Sequence, residues 1–174
     1  MITSRSDHRP LKAREDSMAK AKISLVLRLL AVGSTAAAIG IMVTSHATAK
    51  VLNLSFDARY NNTPAFVYFV VAEAVAGGYS LVSLFLSSKS LFWRAVMMMD
   101  VVIAMLPSSS IFATVAIGRV GKKGNNHAGW LPICGQVPKF CDRVIGALIV
   151  GFVAAAIYLV LLLCSLHSLF ALKP

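Results

Sequence analysis

RAVMMMDVVIAMLP, residues 94–107, places the carboxylate of Asp100 inside one of the most apolar runs of the chain. The run around it belongs to one of four windows, approximately 23–44, 65–86, 95–118 and 144–166, each dominated by apolar residues. Crossing about 30 Å of hydrocarbon as a helix takes roughly 20 such residues, so each window is long enough. The 174 residues are 57% hydrophobic and 14% charged, with mean hydropathy +0.75, a balance that a soluble domain of this size does not carry. The runs are continuously apolar, without the period-2 alternation of barrel strands. The sequence therefore predicts an all-α membrane protein, a four-transmembrane-helix bundle embedded in the lipid bilayer.

The first window follows a basic leader and precedes ATA at 47–49, which has the look of a cleavage site. A secretory core of roughly 7 to 15 apolar residues is shorter than this window, which also contains Arg28, so the window is read as a retained span. Residues 1–22 mix charges without hydrophobic period and are expected to be a disordered basic cytoplasmic tail, either a topogenic leader or a surface for anionic lipid. Residues 169–174 are expected to form a short cytoplasmic C-terminus. Nine basic residues fall on the side of the termini and seven on the other, with Arg28 inside a span. The N-terminal cluster flanks the first span, which puts both termini in the cytoplasm. The sequons NLS at Asn53 and NNT at Asn61, both glycosylation candidates, fall on the opposite side, as do Cys134 and Cys141.

Three ionisable residues lie within the spans: Arg28, Glu73 and Asp100. A charge at the centre of a membrane helix costs about 2.5–3.5 kcal/mol even on lenient scales, so unpaired lipid-facing charges are disfavoured. Arg28 and Asp100 each follow their window's start by about five residues, roughly 8 Å, and both helices run outward. Equal depth predicts an intramembrane ion pair, with two parallel hydrogen bonds from the guanidinium, closed within one chain or between two. The alternative is an Arg28 that snorkels alone to the interface. Glu73 enters from the other side, level with Thr35 and the serines after Pro107, and has no basic residue at its depth. It is either protonated and bonded to a hydroxyl or part of a proton or ion path.

Cys134 and Cys141 are suited to a disulfide, with free thiols as the alternative, and Cys164 to packing or to acylation. Residues 119–143 form the one long loop, whose Gly, Asn and Pro residues mark turns. Gly33 with Ala37, Ala36 with Gly40, and Ala147 with Gly151 and Ala155 form small-residue stripes for helix packing, inside the bundle or between chains. Pro107 is expected to kink the third helix, and Ser108, Ser109 and Ser110 to satisfy the carbonyls it frees. There is no CxxC, GxSxG, HExxH or phosphate-binding glycine loop, so neither an enzyme nor a metal, cofactor or nucleic-acid partner is expected.

LVLRLLA in the first span, TPAFVYFVVAEAVAGGYSLVS in the second, MMMDVV in the third and WLPICGQVPKFCDRV in the last loop together resemble the plant Casparian strip membrane domain proteins and their CASP-like group, over roughly residues 20–168. The resemblance implies a MARVEL-like tetraspan of the plasma membrane that forms homo- and hetero-oligomers, homodimers and heterodimers with related tetraspan proteins included. Founding members are scaffolds that organise a membrane domain and recruit cell-wall-modifying partners. By position it assigns the intramembrane pair to Arg28 and Asp100, and the outer-loop cysteines to Cys134 and Cys141. The first loop, SHATAKVLNLSFDARYNNT, lacks the Phe-rich signature of the strip-forming proteins, so the chain resembles a CASP-like relative. The expected function is a scaffold; the alternative is a small transporter or ion-conducting protein that uses Glu73 and Asp100.

Overall fold

The computed structural model describes residues 8–51, 54–86 and 93–171. Its helices are α1 (His8–Val43), α2 (Pro64–Leu86), α3 (Trp93–Lys123) and α4 (Pro138–Ala171). Each contains a segment long and apolar enough to cross a membrane: Ala21–Val43, Pro64–Phe85, Met98–Lys123 and Pro138–His167. Pro64 and Pro138 open α2 and α4, at the position where a missing N–H removes no intrahelical bond. Gly124 stops α3: with φ +69 its N–H donates to the Val120 carbonyl at 2.7 Å, a left-handed cap that side chains resist.

The helices form a ring in which α1 and α3 each pack against α2 and α4 and lie diagonally across from one another. Met42, Phe66, Phe69, Ile111 and Phe140 fill the end nearer the α3–α4 loop. Ala31, Ala76, Ile103, Ala154 and Leu161 fill the other. The small stripe of α4 is internal: Ala147 and Ala155 are buried, and a Cβ on Gly151 would stand 2.7 Å from the Phe69 ring. The stripe of α1 instead faces outward. Gly33, Ala36, Ala37 and Gly40 are exposed, and a Cβ on Gly33 or Gly40 would meet nothing within 4 Å. The inward face of α1 is taken by Ala31, Thr35, Ala38 and Met42, which repeat at helical spacing.

Two expectations are corrected, and one element was not anticipated. The leader was expected to be disordered throughout, yet α1 begins at His8 and residues 8–22 are helical; residues 1–7 lie outside the described residues. The physical reason is propagation: Ala, Lys, Arg, Glu and Met are good helix formers, and a helix already nucleated by its span extends at little cost. The first loop is a β-hairpin, β1 (His46–Val51) paired antiparallel with β2 (Leu54–Arg59), whose Ala47 and Ala58 rest against the core. Helix also consumes both ends of the long loop and leaves residues 124–137. α3 runs through Pro107, and the hydroxyls of Ser108, Ser109 and Ser110 bond the carbonyls of Ala104, Leu106 and Pro107.

Opposite outcomes are expected from two glycine substitutions that read these faces. Gly151→Ala should wedge α2 from α4 and cost about 1–3 kcal/mol, the usual range for overpacking. Gly33→Ala should leave thermal unfolding of the purified protein unchanged or raise it, since Ala exceeds Gly in a helix by up to about 1 kcal/mol. Equal destabilisation by the two would overturn the assignment of inner and outer faces.

Candidate functional site

Because α1 and α3 are diagonal, any contact between Arg28 and Asp100 must cross the bundle interior. Arg28 Nη2 lies 3.5 Å from each oxygen of Asp100 within the same chain, and the two side chains are only 11% and 6% exposed. The expected pair of parallel bonds is not formed: a single nitrogen faces the carboxylate at long range. The other nitrogen, Nη1, donates to Ser83 Oγ on α2. Tyr79, also on α2, shares the carboxylate: its hydroxyl donates to Asp100 Oδ1 at 2.6 Å. Ser165 on α4 donates to Oδ2 at 3.2 Å. The guanidinium carbon sits 5.9 Å from the Tyr79 ring centroid, within cation–π range.

All four helices therefore meet at one carboxylate. In hydrocarbon no water replaces a lost partner, so each of these bonds is charge-assisted and selective for helix depth and rotation. Such bonds favour one register of the four helices, and Asp100 is buried and engaged on both oxygens. Tyr79, Ser83 and Ser165 went unnoticed in the sequence, although counting depth for hydroxyls as well as for charges would have placed them level with the pair.

Glu73 is 0% exposed, against Phe69 and Gly151; a Cβ on Gly151 would lie 3.1 Å from its Oε1. The expected hydroxyl contact is absent: neither carboxyl oxygen has a hydrogen-bond partner among the described residues. Thr35 and Ser110 instead turn their hydroxyls onto the carbonyls of Val32 and Pro107 on their own helices. Cys134 and Cys141 form a disulfide with Cα atoms 5.7 Å apart, tying the loop to the first turn of α4. Asn61 is exposed in a 3-10 turn, Tyr60–Asn62, while Asn53 lies outside the described residues. Cys164, expected to pack, is exposed on α4.

The model of the Casparian strip membrane protein domain matches residues 17–157, a stretch that includes Arg28, Glu73, Asp100 and both disulfide cysteines. The chain belongs to that family. Within it, CASP-like protein 1C3 of Populus trichocarpa is 63% identical over 141 residues, covering 81% of this chain and 86% of the relative. CASP-like protein 1C2 of Ricinus communis is 55% identical over 159 residues, covering 89% and 97%. CASP-like protein 1C1 of Arabidopsis thaliana is 54% identical over 144 residues, covering 83% and 88%. No solved structure matches the chain. The Casparian strip family is thus where the tetraspan bundle and its multi-pass membrane character belong.

If the cluster sets register, Asp100→Asn should strand the buried guanidinium and cost about 3–5 kcal/mol, the usual consequence of breaking a buried pair. Tyr79→Phe should cost about 1.5–3 kcal/mol, as for a bond to a charged group. Exchanging Arg28 and Asp100 should recover part of the Asp100→Asn loss. Thermal unfolding in detergent, with the monodisperse fraction on size exclusion, measures all three; an Asp100→Asn protein as stable as the wild type would refute the role.

Proposed function

We propose that this CASP-family protein is a non-catalytic scaffold of the plasma membrane, which self-associates and organises a membrane domain where wall-modifying partners gather. The observation that supports this reading is the outward stripe of Gly33, Ala36, Ala37 and Gly40 on α1, with open space beyond both glycines. Small residues at this spacing let backbones approach closely, and in lipid such packing drives helix association. The Arg28–Asp100 pair is closed inside one chain and is not left to link two, so association falls to surfaces of this kind. The conducting alternative loses Asp100, whose oxygens are held by Arg28, Tyr79 and Ser165.

Gly33→Leu with Gly40→Leu should fill the stripe without touching the core. Cross-linked oligomers in native membranes should fall several-fold, and recovery after photobleaching should quicken. Wild-type protein that is monomeric and freely mobile at native expression would sink the scaffold reading.

The same reading places the termini in the cytoplasm and the hairpin with the α3–α4 loop outside, where the disulfide is maintained. Exposed Asn61 then becomes available to the glycosylation machinery. Glycosidase treatment should increase the gel mobility of the wild type, and Asn61→Gln should remove part of that shift. A carrier of wild-type mobility after both treatments would count against this orientation.

A further inference from the structure

The α3–α4 loop has features that neither register nor the outward stripe of α1 uses. Arg119, Lys122 and Lys123 stand exposed in the last turns of α3, and none is in an ion pair among the described residues. Arg119 and Lys123 line an open cavity of about 350 Å³ together with Asn126 and His127. Its floor is ordered: Asn125 Oδ1 accepts from the backbone N–H groups of His127 and Ala128, and Asn125 exchanges backbone bonds with Trp130. Beside this basic hollow, Trp130, Leu131 and Ile133 are 57%, 79% and 58% exposed.

The depth of these groups is fixed by the loop's bonding. The N–H groups of Ile133 and Cys134 donate to the Gly121 carbonyl at 2.8 and 3.1 Å, and Gly121 lies inside the candidate span Met98–Lys123. The disulfide ties the same loop to the first turn of α4. The loop is thus bound against two span ends and cannot rise away from the bilayer. Tryptophan is favoured at that level, with its ring in the apolar boundary, and cations at the membrane–water interface stand level with the headgroup phosphates that phospholipids of either leaflet carry.

We propose that the end of α3 and the α3–α4 loop form a binding site for an anionic, phosphate-bearing lipid headgroup, with Trp130, Leu131 and Ile133 seated in the adjoining acyl boundary. Charge complementarity selects the occupant: Arg119 and Lys123 line the hollow, Lys122 stands in the same last turn of α3, none of the three has a counter-ion among the described residues, and an apolar knuckle adjoins them at interfacial depth. A soluble phosphate would use the hollow alone and leave the knuckle in water.

The test uses full-length protein. Native mass spectrometry in detergent should show retention of phosphatidic acid over phosphatidylcholine. Arg119→Gln with Lys122→Gln and Lys123→Gln should weaken it about a hundredfold, at roughly fivefold per basic residue. Retention by the wild type should also fall steeply with salt, which tests the charge term without a substitution. Mass and helical circular dichroism verify that the variant keeps its disulfide and fold. In a Trp93→Phe background, Trp130 is the remaining tryptophan, and brominated phosphatidylcholine in vesicles should quench it. Equal lipid retention by wild type and triple variant would overturn the proposal. Displacement of lipid by inorganic phosphate would reassign the hollow to a free anion, and an unquenched Trp130 would reassign the knuckle to a protein partner; either result overturns the lipid site.

Discussion

A charge carried into hydrocarbon must find its counter-charge, and in this bundle it does so across the diagonal. Arg28 and Asp100 sit on the two helices that do not directly adjoin, so their contact runs through the space enclosed by α2 and α4. Those helices cannot be bystanders: Tyr79, Ser83 and Ser165 supply the shorter bonds. The ion pair proper is long, and the desolvation of both groups offsets much of its attraction. Its contribution lies in specification. Apolar helices slide and rotate over one another with little penalty, whereas a carboxylate with donors from three other helices fixes all four at once.

Around that cluster the bundle separates closed from open surfaces. Gly151 and Ala147 draw α4 onto α2 and α1, so internal packing is spent on shape complementarity. The outer faces carry what remains: the small-residue groove of α1, large apolar side chains such as Phe85, Met98 and Phe112, and the basic end of α3. Such a division is what the proposed scaffold role requires of a Casparian strip family member.

How much of this could be read from the chain depends on the length scale of each signal. Four apolar windows of membrane-spanning length are unambiguous, because no soluble or barrel alternative tolerates them. Equal spacing from the span starts brought Arg28 and Asp100 to one level, since rise per residue is constant. The hydroxyl partners stayed hidden because serine and tyrosine are common in apolar helices, where most serines bond their own backbone. The hairpin was illegible for a different reason: its inward residues include Ala47 and Ala58, too small to make alternation conspicuous. Glu73 was legible as an acid inside a span, yet its expected hydroxyl partners bond their own helices, a choice set by rotamers that no spacing encodes.

The diagonal pair also imposes an order in time. Asp100 follows Arg28 by 72 residues, so the cation is synthesised and enters the membrane before its counter-ion exists. Until α3 arrives, the long aliphatic stem of Arg28 lets its head reach toward the interface while the rest of α1 is embedded. The pair can close only once the third helix is in place, and the cluster is complete only when α4 adds Ser165, so the register of the first span is set by helices made after it.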